Sequence, residues 1–174
     1  MHPVLFLDID GVLHPQRSKA TVHFDMDLNR KLAKEHQDPK FLDLNPYFTN
    51  HIYFSFDQKA CSLIAALVHR FDAHIVLTSS WRMVHSHQEL YYLFKILHME
   101  DAFVGITKKR TPRQDVIQEY IEDHGVQQYL VIDDQDMTKA FPFHAIHTHN
   151  CFSEEDYHIA CTLLDIQHVQ IQNQ

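Results

Sequence analysis

Val4-Leu5-Phe6-Leu7-Asp8-Ile9-Asp10-Gly11-Val12-Leu13 is the stretch on which the fold turns. A short apolar run ends in two carboxylates one residue apart, followed by glycine. The run is continuous rather than alternating, which marks a strand buried on both faces. Ionised carboxylates are too costly to desolvate inside such a strand unless paired, protonated or bound to a metal. Asp8 and Asp10 are therefore expected at the strand's carboxyl end, where open α/β sheets hold their ligands. Gly11 allows a sharp turn there and keeps backbone close to whatever binds.

Two more apolar runs end the same way. His74-Ile75-Val76-Leu77 stops at Thr78-Ser79-Ser80, and Tyr129-Leu130-Val131-Ile132 stops at Asp133-Asp134. Phe103 to Ile106 is a plausible short strand, and Phe143 to His147 a candidate edge strand. Between them, Asp57 can cap a helix carrying Ala60, Leu63, Ile64, Leu67, Val68 and Phe71 at helical spacing. A second helix carries Leu90, Leu93, Phe94 and Leu97. Thr111-Pro112 predicts the start of a third, with Val116, Ile117, Tyr120 and Ile121 as its stripe and Gly125 closing it. Ser153 with Asp156 resembles a capping box opening a terminal helix. Strands alternating with helices predict a mostly parallel sheet sandwiched by helices.

Residues 15–57 resist regular assignment: basic early (Arg17, Lys19, then Arg30 to Lys34), aromatic from Phe41 to Phe56. They read as a flap or small insertion, expected to overhang the site. The rest of the 174 residues are expected to form one domain with it. Acidic residues outnumber basic ones 23 to 15, for a net charge of −8, which argues against broad binding to a phosphate backbone. Three widely spaced cysteines fit free thiols in a reducing compartment. No basic leader precedes an apolar core and no run reaches membrane-spanning length, so the expectation is a soluble, cytoplasmic protein with no membrane partner.

Carboxylates converging from Asp8, Asp10, Asp133 and Asp134 would repel one another without a cation. Hard oxygen donors with no nearby His/Cys cage suit Mg²⁺. His147-Thr148-His149 with Cys151 offers softer donors, but no recognised zinc spacing appears. The sixteen histidines are expected to be solvated.

Asp8-Ile9-Asp10-Gly11-Val12 resembles the first motif of the haloacid dehalogenase (HAD) superfamily, Thr78 its second, and Val131-Ile132-Asp133-Asp134 its fourth. The ordered set covers residues 4 to about 147. Thr78-Ser79-Ser80-Trp81-Arg82 and Ile132-Asp133-Asp134-Gln135-Asp136 further resemble a small-cap branch, found in bacterial RNA-repair-associated modules and phosphotyrosine phosphatase effectors.

The resemblance implies a Rossmann-like three-layer α/β sandwich with a minimal cap or none. It makes Asp8 the nucleophile and Asp10 the acid and base. Mg²⁺ is expected on Asp8, the Asp10 carbonyl and Asp134, with Asp133 in support. Thr78 is expected on the phosphoryl group. A cation is also expected from the start of the helix before the last acidic strand. Arg113 fits best, with Lys108, Lys109 and Arg110 as competitors. Ser79, Trp81 and Arg82 are candidate substrate contacts.

The leading expectation is thus a Mg²⁺-dependent phosphomonoesterase. With no long insertion between Thr78 and Asp133, its open site would admit a macromolecular phosphate. The acidic chain and aromatic flap place a phosphotyrosine protein first, a nucleotide or nucleic-acid end close behind, and a small metabolite third. A non-catalytic binding module would be expected to have lost Asp8 or Asp10, and neither is lost. Carbon–halogen cleavage would need neither Asp10 nor Asp134.

Overall fold

The computed structural model describes residues 2–16 and 23–173. Arg17 and Lys19 of the early basic stretch lie outside them. Five strands, β1 (Val4–Leu7), β2 (His74–Leu77), β3 (Phe103–Ile106), β4 (Tyr129–Asp133) and β5 (Ala145–His147), form a parallel sheet in the order β3-β2-β1-β4-β5. The order reverses at β1, so the acid-tipped strand sits centrally, between the strand ending in hydroxyls and the one ending in acids.

The continuous apolar run of β1 is explained by what its two faces meet. Leu5 and Leu7 enter the larger core with Ile64 and Leu67 of α3 (Gln58–Phe71), Leu90, Leu93 and Phe94 of α5 (His87–Ile96), and Ala160 and Leu164 of α7 (Glu154–Gln172). Val4 and Phe6 point the other way, into a smaller core with Val76, Val131, Met137, Phe141 and Ile117 of α6 (Arg113–His124). This is an α/β three-layer sandwich.

The ends of the helices follow local chemistry. Asp57 caps α3 by accepting from the Ala60 N–H at 2.8 Å, and Ser153 and Asp156 close a reciprocal capping box on α7. Such caps are each worth about 0.5–2 kcal/mol. Gly125 ends α6 in the left-handed region, as expected. Two boundaries differ from expectation. Pro112, not Thr111, is the N-cap of α6, in extended conformation after a cis peptide bond, and Thr111 supplies no side-chain cap. The edge strand begins at Ala145, because Phe143 has a positive φ of 62° and lies exposed.

The described part of residues 15–57 is helical. It comprises α1 (Leu28–Glu35), a 3₁₀ turn (Pro39–Asp43) and α2 (Pro46–Ser55). Asn45 caps α2 with proline at its first position. Leu28, Leu32, Phe41, Phe48, Ile52 and Phe56 join the larger core, so the insertion is built into the fold rather than laid over it. A single turn, α4 (Trp81–Val84), follows the hydroxyl loop.

Candidate active site

The strand ladder continues one residue past each tip and fixes the acids. The Asp8 N–H donates to the Ile132 carbonyl at 3.0 Å, and the Thr78 N–H to the Leu7 carbonyl at 2.9 Å. The Thr148 N–H donates to the Asp133 carbonyl at 2.9 Å. After Asp8 the chain makes a tight turn in which the Gly11 N–H donates to the His14 carbonyl at 2.7 Å. Gly11 has φ of +76°, and a Cβ there would sit 2.6 Å from the Asp134 Cβ. Only glycine lets this turn press against Asp134. The buried Thr148 hydroxyl donates to the Gly11 carbonyl at 2.7 Å and holds the turn from below.

Asp8, Asp133 and Asp134 converge, each offering a carboxylate oxygen within 4.8 Å of the others. Asp8 and Asp133 are buried. Arg113 stands over both: its Nη1 donates to Asp8 Oδ2 at 2.8 Å and to Asp133 Oδ2 at 2.5 Å. Burial raises the Asp8 pKa against the opposing pull of Arg113, the Ile9 N–H and the Ser79 hydroxyl. Burial, with the Asp8 charge added, pushes Asp133 up to about 6. Burial also pulls on Arg113, but the two carboxylates more than reverse it and keep the guanidinium's pKa above its usual value. One cation thus serves two buried carboxylates, leaving an excess of negative charge. The competitors for its place turn elsewhere. Lys108 pairs with Glu119 at 2.6 Å, Arg110 pairs with Glu119 at 2.7 Å, and Lys109 is exposed.

Asp10 is half-exposed and held at both oxygens. Trp81 Nε1 donates to Oδ2 at 3.0 Å, and His14 Nδ1 lies 3.1 Å from Oδ1. The Trp81 ring is itself stacked on His51, with centroids 5.7 Å apart. Trp81 therefore aims Asp10, where the sequence suggested a substrate wall. Arg82, expected on substrate, is buried and spent on the backbone. Its guanidinium donates to the carbonyls of Thr78, Ser79 (2.8 Å), Lys108 (3.3 Å) and Arg110 (3.1 Å). Ser79 is also buried, its hydroxyl directed at Asp8.

Thr78 is different. Its Oγ1 is buried with no hydrogen-bond partner among the described residues, as is Oγ1 of Thr107 at the tip of β3. An orphaned hydroxyl beside a carboxylate cluster is free to donate to a polar ligand. The donor set is all oxygen and over-acidic, which fits a hard divalent cation and does not fit a soft one. Asp134 is half-buried, accepts from the Gln16 amide, and borders a polar cleft of about 560 Å³ lined by Gln16, His147, Thr148, His149 and Asn150. His14 and Gln16 escaped the sequence reading, and His147 entered it only as a possible zinc donor. His14 falls four residues after Asp10, across a glycine turn, and that spacing was the available signal.

Replacing Trp81 with phenylalanine keeps a ring against His51 and removes the N–H. We expect a roughly three- to tenfold fall in kcat, the worth of one hydrogen bond to a half-exposed carboxylate, with KM little changed. Aryl phosphate turnover checks it, and an unchanged kcat would remove Trp81 from the positioning of Asp10.

No curated protein and no solved structure matches the chain. Its sequence matches one family over residues 4–156, a span that includes every acid and hydroxyl described above. The chain belongs to that family, the HAD domain in Swiss Army Knife RNA repair proteins, within the phosphohydrolase-type HAD superfamily.

Proposed function

We propose that the protein is a Mg²⁺-dependent phosphomonoesterase that works through Asp8 and acts on the terminal phosphate of a nucleic acid. The observation that carries the chemistry is the meeting of Asp8, Asp133 and Asp134 with Arg113 and the orphaned Thr78 hydroxyl.

The Asp8 carboxylate attacks phosphorus, and the bond to the leaving oxygen breaks as Asp10 gives that oxygen a proton. Water then attacks the aspartyl-phosphate. Asp10 takes its proton, and the bond to Asp8 breaks to release inorganic phosphate. Arg113 and Thr78 donate to the phosphoryl oxygens and place them for in-line attack. Held by Asp8, Asp134 and the Asp10 carbonyl, Mg²⁺ would neutralise the excess negative charge against which a phosphate dianion must approach.

Two observations favour a nucleic-acid end over phosphotyrosine. The family is described from RNA repair proteins. The aromatic rings of the insertion that pointed to phosphotyrosine are partly consumed, since Phe41, Phe48 and Phe56 are buried in the core. The cleft beside Asp134 is instead polar, with imidazole and amide groups suited to ribose and phosphodiester oxygens. A panel of 3′- and 5′-phosphorylated oligonucleotides against phosphotyrosine and phosphoserine peptides, all with Mg²⁺, tests this. Oligonucleotide ends should be cleaved fastest. Faster phosphotyrosine cleavage would overturn the substrate assignment, and a folded protein inert to every substrate would make this a binding module.

Asp134→Ala should weaken Mg²⁺ binding more than Asp133→Ala. Asp134 faces the cleft, whereas Asp133 is buried under Arg113. We expect on the order of a 10–100-fold rise in the Mg²⁺ concentration for half-maximal activity. Asp133→Ala should act instead on thermal stability and Arg113 placement. The opposite order in a Mg²⁺ titration would exchange the two roles.

A further inference from the structure

At the other edge of the sheet, Glu35, His36 and His98 meet. Glu35 is the last residue of α1, His36 is its C-cap, and His98 follows the C-cap of α5. Because α5 runs back from the tip of β2 to the start of β3, its C-terminus lies at the amino-terminal edge of the sheet, away from the acids. Each of the three offers one ligand atom, and all three atoms lie within 4.8 Å of one another. His98 Nε2 is 3.8 Å from Glu35 Oε1, and the two imidazoles stack with centroids 5.1 Å apart.

Protein–protein contacts alone explain this cluster poorly. Glu35 and His98 are exposed, and an exposed pair of this kind contributes about 0–1 kcal/mol. His36 packs against Phe41, and its Nε2 is buried with no hydrogen-bond partner among the described residues. A buried donor or acceptor left unmade is costly. Burial, with the nearby His98 adding to it, lowers the His36 pKa. The backbone beneath is already tied. Asp38, two residues on, accepts from Tyr92 Oη at 2.9 Å and Lys95 Nζ at 2.7 Å, both on α5. The two ligand-bearing segments are thus held together before any ion arrives.

We propose that Glu35, His36 and His98 form a Zn²⁺ site that ties the helical insertion to α5. Two imidazoles and a carboxylate suit zinc, whose tetrahedral shell of bonds near about 2.0–2.2 Å would be completed by water. Nitrogen donors separate this site in chemistry from the all-oxygen cluster around Asp8. The ligands come from the ends of two helices distant in sequence, so no compact zinc spacing records them.

The test uses the full chain, stripped with chelator and titrated calorimetrically with ZnCl₂ in saturating MgCl₂, which occupies the acidic cluster. The wild type should take up one equivalent and gain thermal stability. His98→Asn keeps a residue that tolerates the positive φ of 57° at that position and removes the imidazole. It should lose at least roughly tenfold in Zn²⁺ affinity and most of the thermal gain. Glu35→Gln is the second variant, and circular dichroism with unchanged phosphatase activity shows that both are folded. Bound Co²⁺ should show tetrahedral visible absorption in the wild type and lose it in His98→Asn. Identical Zn²⁺ affinity and stoichiometry in wild type and both variants would overturn the proposal, as would a wild type that takes up no equivalent.

Discussion

Asp8→Asn should abolish hydrolysis, with a loss on the order of 10⁴-fold or more in kcat, the scale seen when a covalent nucleophile is removed. An amide cannot form the aspartyl-phosphate, although it nearly preserves the size and can still accept from Arg113. The structure adds a second expectation. Asp8 and Asp133 share one guanidinium, and the Asp8 charge is among the causes that raise the Asp133 pKa. Neutralising Asp8 relieves that repulsion. Without added metal, Asp8→Asn should therefore melt at the same temperature as the wild type or higher, while losing activity. Inactivity with a collapsed melting temperature would assign Asp8 to the core; near-normal turnover in a clean preparation would end the covalent mechanism.

Arg113→Ala is expected to have the next largest effect, and on two measurements at once. Activity should fall roughly 10²–10³-fold, the scale for removing one preorganised donor to a developing negative charge. Stability should fall by about 3–5 kcal/mol at neutral pH, because two buried carboxylates lose the guanidinium that is ion-paired to both. Saturating Mg²⁺ should recover part of the stability and little of the activity. Arg113→Lys should recover only part of the activity, since an ammonium restores charge without the planar fork. Lys108→Ala and Arg110→Ala break exposed pairs with Glu119 and should leave turnover near normal. Normal turnover in Arg113→Ala, with loss in Lys108→Ala or Lys109→Ala, would move the cation to the loop.

The parts of this fold visible in the sequence were those with strong local causes. Continuous apolar runs ending in Asp-x-Asp, Thr-Ser-Ser and Asp-Asp admit few structures, because desolvated charge forces the acids to the strand tips. Arg113 was legible through the resemblance, which places a cation near the start of the helix before the last acidic strand, and its first-turn position in α6 set it ahead of Lys108, Lys109 and Arg110. Arg82 was not. A long side chain with a charged head ordinarily reaches for solvent, and only the tertiary arrangement offers it carbonyls from two loops. Trp81 was read as a substrate contact because nothing local links its N–H to Asp10, 71 positions away. The insertion went unread for another reason. Asn45-Pro46 is a serviceable helix start, but it is embedded among aromatics whose periodicity is weak, since α2 packs on more than one side. Glu35, His36 and His98 carried no signal at all, since their neighbourhood exists only once α1 and α5 have docked.

Arg82 has a consequence for motion. Its guanidinium joins the Thr78-Ser79 segment, which presents the orphaned hydroxyl, to the Lys108–Arg110 segment that leads into Arg113. Neither segment can swing out without stripping a buried, permanently charged group of its carbonyls. The hydroxyl loop and the cation loop are therefore one cooperative unit in native-state fluctuations, with shared amide-exchange protection rather than two independent values. In the phosphatase proposed above, the cradle for the phosphate opens as a whole, and its two halves keep their spacing whenever it is closed.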